Sequence, residues 1–516
     1  MNWIKVLWVD DEIEMLKPHF LFLKERGYET TPCTNGLDAL DLIKKTSFDI
    51  VLLDENMPGL NGLETLDGIK NNSPDLPVVM ITKNEEEQIM NEAIGAKISD
   101  YLIKPVNPNQ ILLSLKKILE HKSLIAEKTT QNYQQQFREL SLSLIHLETH
   151  EDWIEHYKRL MYWESELESL EDPSLFEVFE TQMQEANVQF AKFIEKNYSD
   201  WMQGKGGPIL SHQAFEHFVC PQLKEHQPTL LLMIDNLRFD QWRTIASEVK
   251  DYCKLLSAHS YFSILPTATQ YARNAFFAGR TPLDLSKTFP QWWKNDTDEG
   301  GKNLHEFDLL KTLCSRLGVE RPMSYHKIMQ IQQCQHLIKN LQNHIHEGLT
   351  TVVYNFVDMI SHAKTEMEVI KELAPDNKAY RSLTASWFKN SPLKDLIKKA
   401  SSLGFQILLT TDHGTINVGH PSEVIGDKET SLNLRYKAGK SLTFQPKDVI
   451  HCKHPESFQL PSFYGVNSSY IFAKNDSYFV YKNNYNQYAK FFNNTFQHGG
   501  VSLEEMIIPF VVLNPR

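Results

Sequence analysis

Three stretches share one plan: "TLLLMIDNLRFD" at 229–240, "TTVVYNFVD" at 350–358 and "FQILLTTDHG" at 405–414. Each opens as a β-rich apolar run and closes on an aspartate. Unbroken apolar runs of this length suit strands covered on both faces, as in a parallel sheet flanked by helices. Open α/β sheets gather their ligands beyond the carboxyl ends of the strands. Asp235, Asp358 and Asp412 delivered in that way form a site pattern, and the fold they predict is α/β.

Working outward, "QGKGGPILS" at 203–211 is the strongest punctuation in the chain, because adjacent glycines and a proline cannot continue a helix. A domain of residues 204–516 is predicted to begin there. Before it, "QQQFRELSLSLIHLETHEDWIEHYKRLMYWESELESLE" at 134–171 has helical periodicity and almost no Gly or Pro, so 122–203 reads as a helical bundle linker of three helices. Residues 1–121 alternate short apolar runs ("WIKVLWV", "DIVLLD", "PVVMIT", "SDYLI") with amphipathic stretches, the rhythm of a small doubly wound sheet.

Composition narrows the function. A chain of 516 residues exceeds one ordinary core, and a formal charge of −12 argues against general affinity for DNA. No run of eighteen apolar residues and no signal-peptide pattern is evident, so a cytoplasmic location is expected, without membrane insertion. The cysteines at 33, 220, 253, 314, 334 and 452 form no CxxC pair, which leaves metal binding to His, Asp and Glu.

In the first 121 residues, Asp10 and Asp11 follow the first apolar run, Asp54 ends a later one, Thr82 the next, and Lys104 follows the last, just before Pro105. Converging carboxylates repel, so a hard cation such as Mg²⁺ belongs among them. Asp54 can then attack a phosphoryl donor, Lys104 can neutralise the added oxygens, and Thr82 can bond one of them, with Tyr101 following Thr82 inward. "VDDE", "LLDENMPGLNG", "MIT" and "DYLIKP" resemble the receiver domain of two-component response regulators over nearly this whole segment. The resemblance implies a CheY-like fold, Asp54 as phosphoacceptor, Mg²⁺ held by Asp10, Asp11, Asp54 and the Asn56 carbonyl, a cis Lys104–Pro105 bond, and a sensor histidine kinase as partner. Lys83 departs from the pattern, which has a small residue there.

In 204–516, "DMISH" sets Asp358 and His362 four apart on one face of a helical turn, "DHG" pairs Asp412 with His413, "QHGG" supplies His498, and Asp235 closes its strand. Carboxylate and imidazole without thiolate suit zinc kept open for catalysis, and six such groups suffice for two ions. "SILPTATQYARNAFFAGRTP" at 263–282 places Thr269 before a helical stretch ending near Gly279, where helix dipole and metal would together lower the hydroxyl pKa. Asn274 and Arg273 follow in the same helix as candidates for a phosphate oxygen, and "NLRYKAGKSL" at 433–442 offers Arg435 and Lys437 as a basic island for a nucleotide.

The order Asp, Pro-x-x-Thr, Asp-x-x-x-His, Asp-His-Gly, His-Gly resembles the alkaline phosphatase superfamily, its PglZ branch and the nucleotide pyrophosphatase/phosphodiesterases in particular. That resemblance implies Asp235, Asp412 and His413 around one zinc beside the nucleophile Thr269, and Asp358, His362 and His498 around its neighbour. A receiver, a helical linker and a PglZ domain in succession resemble the response regulators of type IX secretion. This implies dimerisation on phosphorylation, zinc-dependent hydrolysis of cyclic or linear oligonucleotide phosphodiesters, and contacts with secretion-motor and sigma-factor proteins. The rival expectation is an adaptor whose zinc domain binds a ligand or partner without turnover.

Overall fold

The computed structural model describes residues 3–83, 98–168, 170, 173–223, 227–426, 430–462 and 468–516, with the side chains of 120–128, 173, 362 and 368 left aside. It divides into two compact units, Met1–Gln136 and Phe137–Arg516, the division falling inside the helix Pro108–Ser143. The linker helices His150–Glu168 and Pro173–Met202 therefore group with the larger unit.

In the first unit, β1 (Ile4–Val9), β2 (Tyr28–Cys33), β3 (Ile50–Asp54), β4 (Val78–Thr82) and β5 (Asp100–Ile103) form one parallel sheet in the order β2-β1-β3-β4-β5. Alternate residues of β1 and β3 feed two apolar clusters, one on each face: Val6, Trp8, Ile50 and Leu52 against Leu7, Val9, Val51 and Leu53. The reversal of strand order between β1 and β3 opens the switch-point crevice at their carboxyl ends. The stretch "NMPGLNG" is shaped for that crevice. Asn61 caps the helix Gly62–Asn72 in a reciprocal box with Glu64, and a Cβ on Gly62 would stand 2.5 Å from the Asp54 carbonyl oxygen.

The larger unit is built on β6 (Thr229–Ile234), β7 (Cys253–Phe262), β8 (Met323–Ile328), β9 (Leu349–Tyr354) and β10 (Gln406–Thr410), joined by a last strand described below. Of these, β8, β9, β6 and β10 are adjacent and parallel. Every residue of β6, β9 and β10 is buried, which is why their sequences read as continuous apolar or small-polar runs. Beyond β10 the chain makes short strands: β11 (Ile416–Val418), β12 (His420–Ile425), β13 (Tyr436–Lys440), β14 (Thr443–Phe444), β15 (Val449–Cys452), β16 (Ser468–Ala473), β17 (Ser477–Tyr481) and β18 (Thr495–Gln497). The final strand, β19 (Ile507–Pro515), returns antiparallel to β10 and carries β7 on its outer side. Pairing of Ile416 in β11 with Gln497 in β18 brings the residue after β18, His498, back beside the loop that follows β10.

No helix among the described residues is long and apolar enough to cross a membrane.

Candidate metal and phosphoryl-transfer sites

At the carboxyl ends of β6 and β10, Asp235, Asp412 and His413 offer ligand atoms that all lie within 4.8 Å of one another, and all three residues are buried. His413 Nδ1 stands 3.0 Å from the Gly414 carbonyl. A carbonyl only accepts, so Nδ1 carries the hydrogen and the Nε2 lone pair faces the cluster, the tautomer a metal ligand needs. His498 is arranged alike, with Nδ1 3.1 Å from the Thr267 carbonyl and Nε2 3.7 Å from Asp358 Oδ1. The two imidazoles stack, ring centroids 4.3 Å apart at 22°, so Asp358 and His498 adjoin the first three groups.

Asp358 is not at a strand end, as its sequence suggested, but in the first turn of the helix Phe356–Glu366, four residues past β9. His362 follows in the same helix; its side chain lies outside the described residues. Asn236, a residue the sequence did not single out, sits between the two groups. Its backbone N–H donates to Asp412 Oδ1 at 3.3 Å and its side-chain amide to Asp358 Oδ1 at 3.4 Å. It adopts φ +63°, a left-handed conformation that Asn tolerates better than most residues, so an Asn directly after a strand-end Asp was the available signal.

Thr269 opens the helix Thr269–Ala278, which Ala268 precedes at the cap position and Gly279 ends at φ +56°. Its hydroxyl is therefore not spent as a cap. Oγ1 lies 3.1 Å from His413 Nε2 and 3.4 Å from Asp235 Oδ1, and the residue is only half-buried, reachable where the three ligands behind it are closed off.

The donor set fits a cation. Asp412 Oδ2 is buried without a hydrogen-bond partner, its nearest cation the Arg273 guanidinium at 3.7 Å, which leaves the oxygen room for a closer positive charge. Burial pushes the Asp235 carboxyl up to about 6, with Arg273 opposing and Asp412 adding to the rise. A divalent ion would reverse this by charge alone.

The remaining expected contacts are placed differently. Arg273 is buried and spends its guanidinium on Asp235 and Glu306. Asn274 donates to the Lys302 carbonyl at 3.1 Å and accepts from Asn303 at 2.8 Å. The supposed basic island is no solvent-facing loop: Arg435 is fully buried on Glu505 and the Ser477 carbonyl, and Lys437 donates to the Ser431 carbonyl under the Tyr481 ring. Glu505, seventy residues from Arg435 in sequence, could not have been paired with it from local pattern.

In the smaller unit, oxygens of Asp10, Asp11 and Asp54 also lie within 4.8 Å of one another. The Lys104 ammonium reaches Asp10 Oδ2 and Asp54 Oδ1, each at 2.8 Å, and the Lys104–Pro105 bond is cis. Burial raises the Asp54 carboxyl above its usual range, Lys104 counteracts, and Asp10 and Asp11 add to the rise. The Thr82 hydroxyl donates to Glu55, Asn56 is exposed in the loop after β3, and Tyr101 is 36% exposed, facing outward. Lys83 is exposed, 4.0 Å from Glu12.

Two units with these sites define a class: a receiver-like doubly wound unit followed by an α/β domain with a candidate metal site. The family model for the PglZ alkaline phosphatase-like domain of the BREX system matches residues 214–513, and the chain belongs to that family. The PorX response regulator linker matches 123–202 and the response regulator receiver 6–116, so the order of the three is the PorX architecture.

Chemotaxis protein CheY-3 of Vibrio cholerae is 35% identical over 120 residues, 23% of this chain and 92% of its own. Transcriptional regulatory proteins ZraR of Klebsiella oxytoca (34% over 134 residues) and ResD of Bacillus subtilis (30% over 122) are also similar, through 26% and 24% of this chain. The chain spans only 30% and 50% of those two relatives. A solved structure of chemotaxis protein CheY4 of V. cholerae is 30% identical, covering 22% of this chain and 98% of its own at a TM-score of 0.22.

Proposed function

We propose that the larger unit is a zinc-dependent phosphodiesterase, acting on cyclic or linear oligonucleotides, under the control of phosphorylation at Asp54. The observation that carries it is the Thr269 hydroxyl, free of capping duty and placed against both Asp235 and His413. Asp235, Asp412 and His413 would hold one zinc, and Asp358, His362 and His498 a second, to supply Lewis-acid charge to the reacting phosphoryl oxygens.

The chain's own groups do the rest. The positive end of a ten-residue helix favours negative charge on Thr269 Oγ1. Attack by that oxygen forms a Thr–O–P bond as the ester bond to the leaving alcohol breaks, and water then cleaves the Thr–O–P bond to restore the hydroxyl. With Arg273 engaged on two carboxylates, the nearest guanidinium is not a phosphate clamp, which favours a diester over a monoester substrate.

In the receiver, Mg²⁺ at Asp10, Asp11, Asp54 and the Asn56 carbonyl would position the phosphoryl donor, Lys104 would neutralise the product, and Thr82 with Tyr101 would relay it to the surface. Regulation of type IX secretion from the cytoplasm is the biological setting this reading implies. A sensor kinase would act upstream, phosphorylation would promote a homodimer, and secretion-motor and sigma-factor proteins are candidate partners.

Thr269→Ala with zinc loaded is the test. Cleavage of dinucleotide esters is expected to fall on the order of 10³-fold or more with folding unchanged. A variant as active as the wild type would remove Thr269 from the chemistry, and a zinc-loaded wild type that cleaves nothing would favour the adaptor.

A further inference from the structure

Arg273 lies four residues after Thr269, on the same helical face. Its side chain is 2% exposed. Nη1 donates to Asp235 Oδ2 at 2.6 Å and stands 3.7 Å from Asp412 Oδ2, while Nε donates to Glu306 Oε1 at 2.5 Å. Glu306 is fixed in turn: its Oε2 accepts from the Tyr325 hydroxyl at 2.6 Å and the Lys327 ammonium at 2.9 Å. Turning Arg273 toward a substrate would strip a counter-charge from two buried carboxylates at once.

We propose that Arg273, anchored by Glu306, is a positioning residue that ties up Asp235 Oδ2 and leaves Oδ1 alone to face the cation and Thr269. The inference rests on the zinc reading above and deepens it. Oδ1 is the oxygen 3.4 Å from Thr269 Oγ1. A carboxylate with one oxygen committed offers an ion a single donor. Released, Asp235 gains a second oxygen able to compete with Thr269 for the same side of the ion. Arg273 also places a positive charge against a ligand, which opposes an incoming divalent ion. Loss of Arg273 therefore moves two quantities in opposite directions: zinc binds at least as tightly, and turnover falls. A phosphate contact would change KM instead, and a merely structural residue would weaken both.

The experiment uses the full chain as wild type, Arg273→Met and Glu306→Gln. Zinc affinity is measured by competition with a chromophoric chelator in the absence of substrate, and kcat and KM on a dinucleotide ester. In Arg273→Met, zinc affinity is expected to be unchanged or up to roughly tenfold tighter, with kcat down on the order of 10²-fold and KM within about threefold. Glu306→Gln keeps the shape of the carboxylate and the guanidinium itself, and is expected to shift both quantities in the same senses by less. The proposal is overturned if KM rises while kcat holds, or if zinc affinity falls with turnover in Glu306→Gln. Should the wild type itself bind no zinc, the metal reading fails, a result distinct from either.

Discussion

His413 and Gly414 show what single residues decide. An imidazole ligand must present one nitrogen and dispose of the other, and the carbonyl of the next residue takes the Nδ1 hydrogen. That next residue has to be glycine for lack of room, since a Cβ at 414 would lie 2.0 Å from the Glu504 carbonyl oxygen. The "DHG" triplet was a weak signal by itself and gained weight only from its order with Asp235, Thr269, Asp358 and His498. The reason for its glycine was not legible, because Glu504 is ninety residues away. Gly414→Ala is expected to cost about 1–3 kcal/mol through overpacking and to weaken zinc binding, since the backbone that orients His413 must shift. Urea unfolding midpoints and chelator competition would show both losses; a variant indistinguishable from wild type would mean that the close approach is illusory. Arg435 teaches the converse. Its charge suggested an exposed, ligand-seeking residue, yet it is a buried partner of Glu505, and no local pattern separates the two cases.

Among elements, the parallel strands were the most readable, because β6, β9 and β10 are buried on both faces and announce this as apolar runs. The linker helices were readable as helices but not in their attachment. Glu164 and Glu168 on the helix His150–Glu168 grip Arg381, which also bonds Asp240 at 2.6 Å; Asp240 in turn holds Arg238, three residues past Asp235. This ion network joins a linker helix to the strand end that carries the candidate metal site, a connection made by residues more than a hundred positions apart. Arg381→Met leaves Glu164 buried without its counter-charge, while Asp240 keeps Arg238, and is expected to destabilise the larger unit by about 3–5 kcal/mol. Equilibrium urea denaturation measures it. A loss below about 1 kcal/mol would show that the network behaves as an ordinary surface salt bridge.

For the whole molecule, the order of candidate groups in both sites was legible before the fold, although Asp358 and Thr269 stand in first turns of helices and not at strand ends. What the sequence lacked was the assignment of the linker to the larger unit. On the proposed reading, a rearrangement of receivers on phosphorylation at Asp54 would act on helices that pack within the larger unit. Sedimentation of the full chain is expected to shift from monomer to dimer when a beryllofluoride adduct forms at Asp54, and not in Asp54→Ala; identical profiles would sever the switch from assembly.

The metal pocket itself is open to a more direct measurement. Elemental analysis of the purified full chain, after equilibration with zinc and removal of the excess, should find two zinc ions per chain, falling to one or none in Asp412→Asn. A wild type that retains no zinc under these conditions would contradict the hydrolase site altogether.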